Sequence, residues 1–193
     1  VEIQRRLLTG VAEAELKGIF IITYYQIKLT LFWKGIEYMK LHFYNHQFDK
    51  LIENYILTDE QLRFTGTPKD AIDLSNAEPN RYSILAVENE QLVTFFSLHK
   101  GEGVKPFSPN DNAILIRSFS TDFHQQGKGY GKNALMLTPE FVRSHFSGID
   151  EIVLAVNVKN EIAQALYKNC GYIDKGVREL GRSGELIVMC YQL

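Results

Sequence analysis

The chain has 193 residues, 45% apolar and 23% charged, which is enough to bury a hydrophobic core and excludes a disordered, collagen-like or repeat-array chain. A formal charge of -2 leaves no basic excess to drive nucleic-acid binding through phosphates. Two cysteines, Cys170 and Cys190, are too few for a disulfide scaffold or a thiolate metal site, and a reducing, cytoplasmic setting is the simplest reading.

The most apolar stretch comes first, from Gly18 to Trp33. Lys28 interrupts it, and it falls short of the roughly 18 to 20 apolar residues that a membrane-spanning helix needs. No small-residue cleavage pattern follows it. It is expected to be a buried or subunit-interface segment, and no membrane partner is expected. Residues 1–38 read as an extension ahead of a native start at Met39. Met39 opens a strand-like run to Tyr44, and Lys34-Gly35 suits a purine-rich, ribosome-binding stretch of a bacterial gene.

From Met39 onward the elements follow closely, as one domain spanning 39–193. Leu41–Tyr44 reads as a short strand. Phe48, Leu51, Ile52 and Tyr55 recur at helical spacing, which predicts an amphipathic helix over His46–Tyr55. Thr58 and Gln61 form a capping-box pattern that starts a second helix. Thr67-Pro68-Lys69-Asp70 starts a third, with proline in its first turn. Tyr82–Glu88 and Gln91–His99 flank Asn89-Glu90 and predict a tight hairpin. Gly101–Asn112 is a polar loop, and Ala113–Thr121 is a long strand. Gly129–Phe146 reads as a helix that Pro139 should end or kink. Glu151–Val156 predicts a buried strand and Glu161–Asn169 a helix. Tyr172–Glu179 and Glu185–Gln192 close the chain as strands, joined through Gly181-Arg182-Ser183-Gly184. This order predicts an α/β fold, with a mixed, mostly antiparallel sheet and helices on both faces.

The strongest chemical signal is Gln126-Gly127-Lys128-Gly129-Tyr130-Gly131-Lys132, between a predicted strand and a predicted helix. Alternating glycines allow a tight turn and close approach of a ligand. Successive N–H groups in such a turn point into one concavity, and the following helix adds its free N–H groups and its positive dipole end. A phosphate or pyrophosphate is the natural ligand. The P-loop pattern is excluded, because Asn133 follows Lys132 and the glycine spacing is wrong. The dinucleotide fingerprint is excluded too, because these glycines alternate.

Gln126-x-x-Gly129-x-Gly131 resembles the Q/R-x-x-G-x-G/A pattern of the GCN5-related N-acetyltransferases (GNAT superfamily). Asn160-x-x-Ala163-x-x-Leu166-Tyr167-x-x-x-Gly171-Tyr172 is similar to a second segment of that family, in the right order and at the right distance. The resemblance covers about Met39 to Leu193. It implies an acetyl-CoA-dependent N-acyltransferase that moves the acetyl group to a primary amine of a small molecule or peptide, by direct attack in a ternary complex. A non-catalytic CoA-binding sensor of the same fold is the alternative. The resemblance also implies a gap between splayed parallel strands, here Ala113–Thr121 and Glu151–Val156, in which pantetheine pairs with exposed strand edges. By alignment, the backbone of Phe119 and Thr121 holds pantetheine, and Ser120 or Thr121 offers an oxyanion N–H. Gln126, Gly127, Gly129, Tyr130 and Gly131, with Lys128 and Lys132, cradle the pyrophosphate. Asn160 bonds the cofactor arm.

The resemblance makes Tyr167 the catalytic residue, a phenol protonated at neutral pH that can protonate the departing thiolate. Periodicity alone would also allow a core aromatic there. Many members of that family place a glutamate on the central strand, whereas this sequence has Arg117 and Ser118 and no carboxylate between Asn112 and Thr121. Asp122 and His124 are the nearby base candidates, with a main-chain carbonyl and a water as the other route. Arg117 could recognise a substrate carboxylate or be a salt-bridged strand residue. Asp59, Glu60, Asp70, Asp73 and Glu78 make the early helices acidic, which would draw a cationic amine. His42, His46, His99 and His145 share no ligand spacing, so no metal is expected. An apolar N-terminal segment or a strand edge could support a homodimer.

Overall fold

The computed structural model describes residues 39–193, and the expectations for residues 1–38 lie outside the described residues. Seven strands form one sheet: β1 (Lys40–Phe43), β2 (Arg81–Glu88), β3 (Gln91–Lys100), β4 (Ala113–Thr121), β5 (Glu151–Asn157), β6 (Ile173–Gly181) and β7 (Gly184–Gln192). Their order is β1-β2-β3-β4-β5-β7-β6. Every neighbouring pair is antiparallel except β4 and β5, so the sheet is mixed and mostly antiparallel, as the element order predicts.

Local chemistry explains most of the elements. Helix α1 (Asp49–Glu53) follows a 3₁₀ turn at His46–Phe48 that Asn45 caps. In α2 (Asp59–Leu62) the Gln61 N–H donates to Thr58 Oγ1, and the Thr58 N–H donates back to Gln61 Oε1. Thr67 and Asp70 make the same reciprocal pair at the start of α3 (Pro68–Ala77). These boxes satisfy N–H groups that a helix start leaves open. The β2–β3 turn is Asn89-Glu90, with φ of 49° and 60°. Two successive left-handed residues match the twist of the flanking strands.

Two expectations need correction. The amphipathic helix ends at Glu53 rather than Tyr55. Its chain is drawn away because the Ile56 N–H donates to Asp122 Oδ2 at 2.7 Å and the Phe123 N–H donates to the Ile56 carbonyl at 2.8 Å. Conversely, of the two outcomes expected at Pro139, an end or a kink, the first does not occur, and α4 (Tyr130–His145) runs through it. Proline deprives the Leu135 carbonyl of its helical donor, at a cost of about 3 kcal/mol in an unsupported helix. Here the helix is held by its buried face, which includes Ala134, Leu135, Phe141 and Val142, and the Thr138 hydroxyl donates to the Ala134 carbonyl at 2.8 Å.

The sheet separates two apolar layers. On one face α4 and α5 (Glu161–Asn169) pack over Ile84, Phe96, Leu98, Ile114, Ile116, Ile152 and Leu154. On the other, α1 and α3 cover Leu85, Leu92 and Phe95, while Val104 and Phe107 of the long loop cover Leu115, Val153 and Val188. Helices therefore lie on both faces of the sheet.

Candidate active site

The sheet divides along β4. Parallel pairing joins Ala113–Ile116 to Glu151–Leu154 and then stops, although β4 runs on to Thr121 and β5 to Asn157. Beyond that point β4 stays with β3 through Thr121, and β5 stays with β7 through Asn157. The strands part because β4 carries a bulge: Phe95 pairs with Ser120 and Ser97 with Arg117, so Ser118 and Phe119 together oppose Phe96. Ser118 takes φ of 52°, a left-handed conformation that costs a non-glycine residue about 1–2 kcal/mol. The extra residue reverses the alternation of the strand. Ile114 and Ile116 face α4 and α5, and after the bulge Phe119 faces them too.

A cavity of about 830 Å³ occupies the gap. Its walls include Arg117–Thr121 of β4, Leu154–Asn157 of β5, the glycine-rich turn and α5. All of the candidate residues except Lys128 line it: Phe119, Ser120, Thr121, Gln126, Gly127, Gly129, Tyr130, Gly131, Lys132, Asn160 and Tyr167. Lys128 instead turns its ammonium to Gln125 Oε1 at 2.9 Å.

The turn presents an open set of donors. Gly127 and Gly129 have φ of 74° and 82°, which a side chain would strain. The Gln126 N–H donates to the Phe123 carbonyl at 3.4 Å, a long contact. The N–H groups from Gly127 to Lys132 have no acceptor among the described residues, and the first helical bond is from Asn133 to the Gly129 carbonyl. The helix start also lies hard against β4: a Cβ on Gly131 would stand 3.0 Å from Thr121 Oγ1. The result is a nest of N–H groups at the positive end of a 16-residue helix, the geometry that suits an anion.

Tyr167 enters from α5, which Asn160 caps by accepting from the Ala163 N–H at 3.1 Å. That bond uses the Asn160 carbonyl oxygen, and Asn160 also lines the cavity. The Tyr167 ring is wedged edge-on between Phe119 and Tyr172, each with centroids 6.1 Å away. Burial, with the nearby Cys170 adding to it, holds its phenol well above the ordinary tyrosine pKa, so the group stays protonated across the physiological range. Its hydroxyl has no hydrogen-bond partner among the described residues. A buried, protonated phenol facing a cavity is the arrangement a general acid needs.

Residues 46–172 match the model of the acetyltransferase (GNAT) family. The chain belongs to this family. It is 36% identical over 152 residues to YbbJ of Bacillus subtilis (strain 168), described as an uncharacterized N-acetyltransferase, covering 78% of this chain and 95% of that one. The GNAT fold is evident among solved structures at low identity. A spermidine N-acetyltransferase from Vibrio cholerae, in complex with CoA and spermine, superposes with a TM-score of 0.60 at 16% identity, over 80% of this chain and 95% of its own. The aminoglycoside acetyltransferase AAC(6')-Ib, in complex with coenzyme A and kanamycin, gives 0.65 at 16% identity, with 80% and 95% covered.

The other side of this GNAT cavity differs from the expectation of an acidic approach. Among the described residues lining it, Glu60 is the one carboxylate. Asp70 is spent on its capping box, and Glu78 accepts from Arg81 at 2.8 Å. Asp122 is a brace: one oxygen accepts from the Ile56 N–H and the other from the His124 N–H. His124 itself is exposed on the 3₁₀ turn and does not line the cavity. Several contacts that shape the site join distant segments and carry no sequence signature. Tyr55 and Ser120 share a hydroxyl hydrogen bond of 3.0 Å, and Gln61 donates to the Thr121 carbonyl at 2.7 Å. Ser183 Oγ, at the β6–β7 turn, donates to the Arg63 carbonyl at 3.0 Å. Among the described residues, no group of three or more His, Cys, Asp or Glu is gathered as a metal site, and no helix is long and apolar enough to cross a membrane.

Proposed function

We propose that this GNAT protein is an acetyl-CoA-dependent N-acetyltransferase acting on a primary amine of a small molecule or peptide, by direct attack in a ternary complex. The observation that carries the reading is the shared cavity: the unengaged amides of the glycine-rich turn and the protonated Tyr167 phenol open into one space between parting strands. The two solved structures named above hold CoA, one with spermine and one with kanamycin.

The residues fit the cofactor. The amides from Gly127 to Lys132, with the Lys132 ammonium, hold the diphosphate. The unpaired edge of β4 after Ile116 takes the pantetheine arm, with the Asn160 side-chain NH₂ as a further donor. Acetyl-CoA supplies an activated acetyl thioester. The neutral acceptor amine forms the new N–C bond as the carbonyl becomes an oxyanion. A backbone N–H of Ser120 or Thr121 stabilises that charge, a contribution of about 2.7–4 kcal/mol for a single oxyanion donor. The C–S bond then breaks and Tyr167 gives its proton to the leaving thiolate. The proton lost by the amine passes to water in the cavity, and the phenol is reprotonated from solvent, so the turn of the cycle balances. Asp122 does not serve as the base in this scheme, because both of its oxygens accept backbone N–H groups.

The test is release of CoA thiol, read with a disulfide dye, from acetyl-CoA across a panel of amines. Turnover that depends on both acetyl-CoA and an amine supports the reading. Tight CoA binding without turnover of any amine supports a sensor instead, and no thermal shift with acetyl-CoA rejects both.

A further inference from the structure

More positive charge lines the cavity than Glu60, its one lining carboxylate among the described residues, can neutralise. Arg81, on β2, is almost wholly buried, with its side chain 6% exposed. It gives one guanidinium nitrogen to Glu78, and its Nε is buried without a partner. Arg117, the last β4 residue before the bulge, lines the same cavity, and burial first, then repulsion from the Arg81 charge, holds its guanidinium below the ordinary arginine pKa. Among the described residues Arg117 has no carboxylate in ion-pair range. It donates from one Nη to the Gly103 carbonyl at 3.3 Å, stacks its guanidinium 5.4 Å from the Phe107 ring centre, and leaves Nε buried and unpaired.

Glu78 therefore makes an ion pair with one of the two arginines and acts on Arg117 only through space. His99, the third basic group of the cluster, stands 3.9 Å from Glu78 with its Nδ1 lacking a hydrogen bond. Burial, then the two arginines, holds it below the ordinary histidine pKa, so it adds little positive charge near neutrality. Both arginines line the cavity. So do Arg63 and Arg182, on segments that Ser183 ties together. An uncompensated buried guanidinium is costly and is ordinarily met by an anion.

We infer that the acceptor is an amine bearing a carboxylate, an amino acid or the free C-terminus of a very short peptide, and that Arg117, with Arg81, holds that carboxylate while the amine meets the acetyl group. This rests on the transferase reading and narrows its substrate class. A planar guanidinium fork suits a carboxylate better than a point charge would. The same surroundings disfavour a polycation, since four arginines and one glutamate face it.

The experiment compares the standard L-amino acids with their carboxamides as acceptors for acetyl-CoA, with spermidine as a polycationic control. In the wild type, kcat/KM for the best amino acid should exceed that of its carboxamide about 10- to 100-fold, the range for a lost charged hydrogen bond. In Arg117→Gln that ratio should fall toward one, mainly through a higher KM for the carboxylate, with Arg117→Lys between. An unchanged Kd for acetyl-CoA reports that each variant is folded. Equal or better turnover of carboxamides or spermidine overturns the inference and leaves the transferase intact. A preference that persists in Arg117→Gln also overturns it. No turnover of any acceptor rejects the transferase reading. The anion site is then decided by thermal shift with CoA present. A larger shift with N-acetyl-L-amino acids than with N-acetyl carboxamides, lost in Arg117→Gln, supports the site, and equal shifts overturn it.

Discussion

Replacing Tyr167 with phenylalanine removes one oxygen from the centre of the proposed chemistry and little else. The ring contacts with Phe119 and Tyr172 are unchanged by the substitution, and the hydroxyl has no partner to lose among the described residues. Folding stability should therefore move by less than about 1 kcal/mol, the size of a typical net hydrogen bond, and acetyl-CoA should bind with nearly the same Kd. The effect should fall on kcat. Loss of a general acid lowers a rate by about 10²- to 10⁴-fold, equivalent to about 3–5 kcal/mol of barrier. Stopped-flow release of CoA thiol at saturating acetyl-CoA and amine measures it. Because burial raises the Tyr167 pKa, the wild-type rate should show no alkaline fall from this group up to pH 10. A kcat within threefold of wild type in Tyr167→Phe, or a loss explained entirely by weaker acetyl-CoA binding, would refute the role.

Three other outcomes follow from the same geometry. Gly129→Ala forces a side chain into φ of 82°, at about 1–2 kcal/mol. Calorimetry should show acetyl-CoA binding weakened severalfold, as the turn relaxes and its amides lose their common aim. Asp122→Asn can accept only one of two backbone N–H groups without reorganising, so scanning calorimetry should show about 1–3 kcal/mol of lost stability, or about 2–10 °C in Tm for a domain of this size. Its kcat should stay within a few-fold, whereas a base would lose far more. His99 and His42 are both held below the ordinary histidine pKa, each first by burial. The unfolded chain then binds more protons, so stability is full above about pH 6.5 and declines as pH falls toward the lowered folded-state values. The dependence of Tm on pH below 6.5 should be shallower in His99→Gln; an identical slope would contradict it.

What the sequence revealed was local. Thr58 with Gln61 and Thr67 with Asp70 announce helix starts because a cap and its partner lie within one turn. The glycine-rich turn is legible because only glycine tolerates its backbone. The bulge at Ser118 has no such mark: Arg117-Ser118-Phe119-Ser120-Thr121 reads as an uninterrupted strand, and the kink arises from pairing with β3. The run through Pro139 depends on the buried face around it. The arginine pair was hidden for a related reason. Arg81 and Arg117 are far apart in sequence, and Glu78, which looks like part of an acidic surface, turns inward to Arg81. Charge counted along the chain suggested a cationic acceptor; charge counted around the cavity suggests the reverse.

The central claim is that main-chain amides of the turn take the diphosphate of CoA. Amide NMR of ¹⁵N-labelled protein tests it directly, comparing titration with CoA against titration with pantetheine, which lacks the diphosphate. The account predicts large downfield shifts and slowed solvent exchange at the amides of Gly127 through Lys132 with CoA, and much smaller changes there with pantetheine. Saturating CoA that leaves those six amides unmoved while shifting others elsewhere would contradict it.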